Sequence, residues 1–219
     1  EFRRVLFRSQ TKLTAPTVSG AVSRLFERGL LMESAPVRSG RGKPAPKINV
    51  INDAYSIIGI DMSNREFKGA IFDIRGNPII SLSQTVDYDD PDSVFPALIE
   101  LMERLIAHVD LLASPLLGIG VGSPGLLNVH DGSVALSVNL GWSDFPLKAK
   151  IEERYNVPVY VFNDSQAAAL GQFTFDNPAR NENLVVFKIG RGISAGIILD
   201  GKIYSGSHFG ASEVGHQIG

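Results

Sequence analysis

Asn163 and Asp164 are well placed to do chemistry, because they stand at a predicted junction between a strand and a helix. Residues 159–162, just before them, are β-branched or aromatic and predict a buried strand. The Ala-rich run over residues 167–170 predicts a helix packed closely on that strand. In open α/β sheets, ligands bind at such strand ends, beside helix N-termini. We therefore interpret Asp164 as a ligand-binding or catalytic carboxylate; the alternative is that it only caps the helix.

The composition is that of a globular protein that can bury a sizeable core: the 219 residues are 44% hydrophobic, with 22 glycines and 12 prolines. There is no cysteine, so this chain alone can form neither a disulfide framework nor a thiolate metal site. No apolar run approaches the length of a membrane span, and no stretch resembles a signal peptide. We therefore expect a cytoplasmic protein without membrane contact.

Charge is distributed unevenly along the chain. Residues 1–50 contain ten Lys and Arg but three Glu, a balance of +7, although the whole chain carries −2. The remaining residues must therefore carry −9. A basic N-terminal segment on an acidic body predicts that this segment binds a polyanion such as DNA.

The segment after residue 10 predicts a short amphipathic helix. Thr14 can cap its start, Pro16 is tolerated in its first turn, and Gly29 ends it. Its apolar face consists of Val18, Val22 and Leu25. The opposite face is small and polar, as in a recognition helix that lies in the major groove of DNA. The candidate DNA-binding residues of this helix are Thr17, Ser19, Gly20, Ser23 and Arg24. The alternative is an ordinary amphipathic helix.

Residues 30–34 and 47–50 can pair as a β-wing on either side of a Gly- and Pro-rich stretch. In that stretch Arg41 and Lys43 flank a glycine, which suits insertion into a narrow A·T-rich minor groove. The same stretch also has the composition of a linker, and we interpret it as both. Residues 10–50 are thus predicted to form a partial winged helix-turn-helix DNA-binding domain with its linker. Residues 1–9 do not continue naturally into this domain and are interpreted as a non-native remnant.

From residue 55 the pattern changes to that of an α/β domain. The predicted strands cover residues 55–62, 67–74, 78–86 and 116–121. A turn is predicted at residues 75–77, and Asp92 or Ser93 is expected to cap a long helix before the fourth strand. The apolar positions of that helix are Val94, Leu98, Leu101, Leu105, Val109 and Leu112. A hairpin carrying Asn139 and a helix over residues 147–155 then lead to the strand that ends at Asn163.

Residues 69–76, Gly-Ala-Ile-Phe-Asp-Ile-Arg-Gly, are echoed by residues 195–202, Ala-Gly-Ile-Ile-Leu-Asp-Gly-Lys. Each segment is predicted to be the second strand of a hairpin. Internal repetition of this kind predicts two similar lobes with a cleft between them, the second of which is cut short at Gly219.

Four motifs together resemble the ROK family of bacterial sugar-responsive repressors and sugar kinases. They are Asn139-Leu140-Gly141-Trp142, Asn163-Asp164 with its Ala-rich run, the Gly-Ile-Ile-Leu-Asp-Gly of residues 196–201, and the Ala-Ser-Glu-Val-Gly-His of residues 211–216. The resemblance covers residues 55–219 and implies an α/β fold of duplicated, actin/hexokinase-like lobes. The first lobe would span residues 51–176, and residues 177–219 would begin the incomplete second lobe. Residues before 55 resemble the winged helix-turn-helix of the repressor branch.

The resemblance implies a sugar site, because amides and carboxylates on fixed strand ends discriminate sugar hydroxyls through paired hydrogen bonds. Its residues would be Asn139, Asn163, Asp164, Glu213 and His216. In the family's kinases the residue matching Asp164 is the general base that takes a proton from the attacking hydroxyl. His216 matches a zinc ligand whose partners in the family are downstream cysteines. Zinc is therefore expected only in a full-length protein.

The phosphate-binding glycines of the family's kinases are altered in this sequence. The kinases carry a glycine pair soon after the Asp that matches Asp61, whereas here side chains continue to Glu66. In the second loop Arg191 and Ser194 stand at positions that are usually small. We interpret both loops as degenerate, because glycines allow backbone N–H groups to approach phosphates. Their remaining residues are Asp61, Gly190, Gly192 and Gly196.

The sequence therefore predicts a sugar-responsive transcriptional regulator, most simply a repressor, without ATP or Mg²⁺ as cofactors. A full-length homodimer would bind operator DNA and release it when a sugar or sugar phosphate closes the interlobe cleft. The alternative is an ATP-dependent sugar kinase with Asp164 as its general base.

Overall fold

The computed structural model describes residues 13–34, 47–63, 65–112, 114–177, 181–190, 192–206, 210–211 and 214–216. Contacts divide the chain into two compact units, Glu1–Tyr55 and Ser56–Gly219. Among the helices of the described residues, none combines the length and the apolar character needed to cross a membrane.

The described part of the N-terminal unit is one helix and two paired strands. These elements are α1 (Ala15–Glu27), β1 (Leu31–Ser34) and β2 (Lys47–Val50). Strands β1 and β2 pair antiparallel, which confirms the predicted pairing. Thr14 is the N-cap of α1, and its side-chain oxygen accepts a hydrogen bond from the Thr17 backbone N–H (3.4 Å). Gly29 follows the helix with a φ of +69°, a left-handed value that suits glycine.

The core of this unit lies between α1 and the strand pair. Val18 and Val22 are buried together with Ile48. The prediction that Leu25 joins them is wrong: its side chain is 37% exposed, and Phe26 packs against the cluster instead. Neighbouring positions on a helix point about 100° apart, so Phe26 and Leu25 cannot both face the cluster. The larger ring of Phe26 lies at the margin of the apolar face and packs against it.

The larger unit is built on a five-stranded sheet. Its strands are β3 (Ser56–Asp61), β4 (Glu66–Phe72), β5 (Pro78–Thr85), β6 (Leu116–Ser123) and β10 (Val159–Asn163). Their spatial order is β10-β6-β3-β4-β5. Strands β3, β4 and β5 pair antiparallel in that order, whereas β3, β6 and β10 run parallel. These strands confirm the predicted ones, with ends that differ by one or two residues.

Helix α2 (Pro91–Leu112) packs against this sheet. It begins at Pro91 rather than after Asp92 or Ser93, because proline is well suited to a first helical turn. Five of its six predicted apolar positions are buried, and so is Met102, which the pattern does not predict. The prediction for Leu112 is wrong, since its side chain, in the last turn, is 39% exposed.

A small antiparallel sheet and a helix connect β6 to β10. Their elements are β7 (Leu126–Asn128), β8 (Ser133–Ser137), β9 (Trp142–Phe145) and α3 (Leu147–Tyr155). Asn139 lies in the turn between β8 and β9, as the predicted hairpin requires. Trp142 at the start of β9 stacks on Phe145 at its end, with ring centroids 4.1 Å apart, and this contact holds the two ends of the strand together.

Helix α4 (Asp164–Phe175) follows β10 and leads to the third sheet of the larger unit. That sheet consists of β11 (Leu184–Ile189), β12 (Ile193–Leu199) and β13 (Lys202–Ile203). Strand β12 pairs antiparallel with β11, just as β4 pairs with β3. This confirms that the two similar sequence segments are each the second strand of a hairpin.

Glycines on both sheets allow α4 to approach each of them closely. On β6, a Cβ placed on Gly122 would lie 3.4 Å from the Cβ of Ala167. On β12, a Cβ on Gly196 would overlap the backbone carbonyl oxygen of Ser165 and lie 2.5 Å from the Cβ of Ala169. A helix backbone cannot turn aside as a flexible side chain can. Glycine is therefore the residue that fits at position 196 without displacing α4.

We expect Gly196→Ala to lower the free energy of unfolding by about 1–3 kcal/mol, the usual cost of overpacking. Gly171→Ala is the matched control, because a Cβ at this position within α4 would have no atom within 4 Å. It should raise stability by about 0.5–1 kcal/mol, since alanine is the better helix former. Urea unfolding of both variants measures this, and shifts of the same sign would contradict the packing argument.

The turn between β4 and β5 is organised by the buried carboxylate of Asp73. Its Oδ1 accepts hydrogen bonds from the backbone N–H groups of Arg75 (2.8 Å) and Asn77 (2.9 Å), and its Oδ2 accepts one from Asn77 Nδ2 (2.8 Å). Gly76 completes the predicted turn with a φ of +81°. Burial opposes ionisation of this carboxyl, but the hydrogen bonds from Asn77 and Arg75 outweigh that effect and lower the pKa of Asp73.

The lowered pKa makes the contribution of Asp73 depend on pH. It is fully present above the pKa of an unfolded aspartate, about 4, and is lost as the pH falls through the lower folded-state pKa. We expect Asp73→Asn to lower the unfolding free energy by about 1–3 kcal/mol near neutral pH, with a difference from wild type that shrinks below about pH 4. Urea unfolding over that range tests it. A difference independent of pH would show that the ionised carboxylate does not hold the turn.

Candidate functional site

The carboxyl ends of three parallel strands meet at one edge of the five-stranded sheet. Strand β3 ends at Asp61, β6 at Ser123 and β10 at Asn163, and the register places Asn163 beside Ser123 and Asp61 beside Gly122. Two strand spacings, roughly 10 Å, separate Asp61 from Asn163. Polar groups and the N-terminus of α4 thus collect at the edge where open α/β sheets bind ligands.

Asn163 joins the end of β10 to the loop after β6. Its side chain is buried, and its Oδ1 accepts hydrogen bonds from the Ser165 backbone N–H (3.0 Å) and hydroxyl (2.5 Å). Its Nδ2 donates to the carbonyl oxygen of Gly125 (3.1 Å). Asn163 is therefore the N-cap of α4. The alternative interpretation of Asp164 as the cap is wrong, because Asp164 is the first residue inside the helix.

Both oxygens of the Asp164 carboxylate have hydrogen-bond donors. Oδ1 accepts from the Ser165 backbone N–H (2.8 Å), and Oδ2 accepts from Nζ of Lys188 on β11 (2.6 Å). The side chain of Asp164 is 12% exposed and that of Lys188 is 33% exposed. The N-terminus of α4 adds further positive partial charge. This carboxylate is thus paired with a cation and still reachable from solvent.

Lys188 is a residue of this site that sequence reasoning missed. It lies in an otherwise apolar strand, on the same side as Leu184 and Val186, and these three positions are less exposed than the residues between them. A single lysine near a strand end is usually solvated, so its type alone gives no signal. The signal that could have found it is its position on the less exposed side of the strand, because a shielded charge needs a partner.

The turn that carries Asn139 is connected to Asn163 through Gly125. A Cβ on Gly125 (φ +104°) would overlap the carbonyl oxygen of Leu136 and lie 2.8 Å from the Cβ of Ser137, at the end of β8. The buried hydroxyl of Ser137 has no hydrogen-bond partner within the described part of the chain. Asn139 itself is exposed. The structure thus places the two predicted sugar-binding asparagines in connected segments, without a hydrogen bond between them in the residues it describes.

The last predicted motif is described only in part. Glu213 lies outside the described residues, and His216 ends a short 3-10 helix, Val214–His216. A Cβ on Gly215 would lie 2.5 Å from the carbonyl oxygen of Ile193, so this helix contacts the start of β12. The described residues contain no group of three potential metal ligands, and the chain has no cysteine. The residues present therefore do not fit a complete zinc site, and zinc stays a prediction for a longer protein.

The two predicted phosphate loops are built differently. After β3, the Asp61 carboxylate accepts hydrogen bonds from the Ser63 backbone N–H (3.0 Å) and the Ser63 hydroxyl. Between β11 and β12, Gly190 donates its N–H to the Gly192 carbonyl (3.0 Å), and both glycines have open space around them. Gly196 differs from the prediction, because it lies inside β12 and its lack of a side chain serves packing on α4.

The candidate DNA-binding residues of α1 share one property: all are exposed. They are Thr17, Ser19, Gly20, Ser23 and Arg24. None of them joins Val18 and Val22 in the core. Arg41 and Lys43 lie outside the described residues, as does Arg191.

We expect Asn163→Ala to lower the unfolding free energy by about 2–4 kcal/mol, through loss of the helix cap and an unpaired carbonyl at Gly125. Asn163→Asp is the matched control. It keeps an acceptor for Ser165 at the helix N-terminus but cannot donate to Gly125, so it should retain part of the stability. Thermal unfolding of both variants measures this; equal losses would show that the cap does not matter.

Comparison with known proteins places this arrangement in a family. The model of the ROK family matches residues 57–218. A xylose repressor from Caldicellulosiruptor bescii is 31% identical over 205 residues, which are 93% of this chain and 51% of the repressor. A glucokinase from Halalkalibacterium halodurans is 33% identical over 161 residues, 73% of this chain and 48% of the kinase. The chain spans about half the length of these curated relatives.

A crystal structure shows the same fold. It is that of a ROK family transcriptional regulator described as a homolog of the E. coli MLC protein, and it matches 98% of this chain and 54% of its own chain with a TM-score of 0.80. At 23% identity the likeness concerns the fold alone. The predicted α/β fold and family resemblance are confirmed, and with the family model matching most of its length, this chain belongs to the ROK family.

Proposed function

We propose that this chain is part of a sugar-responsive transcriptional repressor. The observation that carries the proposal is the extent of the repressor match. The 205 residues matched by the xylose repressor exceed the length of Ser56–Gly219 and so extend into the N-terminal unit, whereas the 161 residues matched by the glucokinase could lie entirely within the larger unit. What the chain shares with a repressor thus includes a segment beyond the sugar-kinase-like part.

The N-terminal unit has a surface suited to DNA. Helix α1 buries Val18 and Val22 and exposes small polar residues with Arg24, so its backbone can come close to base edges in the major groove. Strands β1 and β2 would form the wing, with Arg41 and Lys43 entering the minor groove. The balance of +7 over residues 1–50 favours association with the phosphate backbone.

The strand ends of the larger unit would bind the sugar. The charged and polar side chains at this edge are held by α4 and β11, so that they meet a ligand in a fixed arrangement. Ligand binding between this edge and the residues of the last motif, Glu213 and His216, would change the spacing of two DNA-binding heads in a homodimer. A small rotation is enough to weaken operator binding, because half-site spacing must match. Such a protein acts in the cytoplasm.

A sugar kinase is the second candidate, favoured by the glucokinase relative and by a carboxylate at the end of β10. In this reading Asp164 would take a proton from the attacking hydroxyl. One observation weighs against it. The turn after Asp61 is closed by hydrogen bonds to Ser63 where nucleotide phosphates need bare backbone.

We expect the full-length protein to bind an operator selected from a random DNA library, and to lose about tenfold or more of that affinity when the effector sugar is added. The panel is D-xylose, D-glucose, N-acetyl-D-glucosamine and D-glucose 6-phosphate, measured by fluorescence anisotropy at one fixed salt concentration. Operator affinity that no sugar changes would exclude the sugar response.

Two controls accompany this measurement. Arg24→Ala should weaken operator binding about tenfold, whereas Lys202→Ala removes the same charge from an exposed position of β13 in the other unit and should have little effect. A coupled ADP assay with each sugar and Mg-ATP separates the two candidates. Turnover of any sugar would establish the kinase instead.

A further inference from the structure

We propose that Lys188 is a sugar-contacting residue, and that it binds, together with Asp164, one hydroxyl group of a neutral, unphosphorylated sugar. This inference rests on the sugar site of the proposed function and names the chemistry of its ligand. Lys188 belongs to none of the sequence motifs that indicate the family.

Lys188 reaches the site from a different element than Asp164. The lysine lies on β11 and the aspartate at the start of α4, and Gly196 on β12, the strand paired with β11, allows that sheet to approach α4 closely. The Nζ–Oδ2 distance of 2.6 Å is that of a direct charge-assisted hydrogen bond. The pair therefore stands at the predicted sugar site and is held there by backbone packing.

This ion pair is more shielded than the other ion pairs among the described residues. The side chains of Arg154 and Glu103, for example, are 51% and 52% exposed, against 33% and 12% for Lys188 and Asp164. Exposed pairs are commonly incidental, because water and salt screen them. A pair that is mostly covered, yet open on the lysine side, is placed to meet a ligand.

A sugar hydroxyl matches this pair because it both donates and accepts hydrogen bonds. The ammonium of Lys188 has three donors, of which one is used on Asp164, so it can donate another to the hydroxyl oxygen. The Asp164 carboxylate holds Ser165 N–H on Oδ1 and Lys188 on Oδ2, and each oxygen has a second lone pair that can accept the hydroxyl proton. The ion pair can thus remain intact while both of its members bind the same hydroxyl.

A sugar phosphate or sugar acid fits the pair poorly. Its anionic group would be repelled by Asp164 unless Lys188 turned away to bind it, and the mostly buried carboxylate would then lose its charge partner. Breaking a shielded pair in this way is costly. Asp61, at the same edge of the sheet, adds another negative charge. The charges of this edge therefore favour a ligand that carries hydroxyls and no net charge.

The test is isothermal titration of the full-length protein with D-xylose, D-glucose, D-glucose 6-phosphate and D-gluconate. The wild type should bind a neutral sugar more tightly than either anion. Lys188→Met, which keeps an unbranched side chain one atom shorter and removes the ammonium, should weaken binding of the neutral sugar ~10- to 100-fold, the loss of a hydrogen bond to a charged group. Lys202→Met is the matched control and should bind as the wild type does.

Operator affinity without sugar shows whether each variant is folded. If Lys188→Met fails this check, Lys188→Gln replaces it, because glutamine can still donate a hydrogen bond to Asp164. The Gln variant should also bind the neutral sugar more weakly. If the wild type binds the neutral sugar and the folded Lys188 variants bind it equally well, the inference is overturned while the repressor proposal stands. Tighter binding of an anion by the wild type overturns the neutral class of ligand. If no sugar binds and none affects operator affinity, the proposed function itself fails, and the inference with it.

Discussion

The position of helix α4 between two sheets is the constraint on which the rest of the site depends. Gly122 on one sheet and Gly196 on the other have no side chain, so the backbones of both strands can lie directly against the helix. Its first residue, Asp164, therefore lies beside Gly122 near the end of β6 and also meets the side chain of Lys188. A helix displaced outward by the width of a methyl group would separate groups whose hydrogen bonds tolerate shifts of only a few tenths of an ångström.

Much of the scaffold of the site could be predicted from the sequence, because its local signals agree. The β-branched run before Asn163 and the Ala-rich run after it each favour one element, and polar residues mark their junction. Which of the two polar residues caps α4 could not be predicted, since both types suit that position. The position of Lys188 on the covered side of β11 indicates that it needs a partner, but the identity of that partner could not be predicted. The contact with Asp164 spans 24 residues of sequence and depends on how β11 packs.

The sequence also did not predict which residues at the edges of the apolar helix faces are buried. Leu25 and Leu112 continue the apolar spacing of their helices, yet both side chains are exposed, whereas Phe26 and Met102 pack against the cores. The spacing defines a face about 100° wide, but the element opposite decides which residues at its edge are covered. Such decisions belong to tertiary packing, and a single sequence does not contain them in readable form.

The place of Lys188 on β11 also bears on how this site could change in evolution. Lysine codons become codons for methionine, isoleucine, threonine, glutamine or glutamate by one base substitution. A lineage can therefore gain or lose the cation beside Asp164 in a single mutational step that leaves Gly196 and the seat of α4 untouched. The cation beside the carboxylate can thus change without moving the helix that presents the carboxylate, so sites with a paired and with an unpaired carboxylate can descend from one another on the same scaffold.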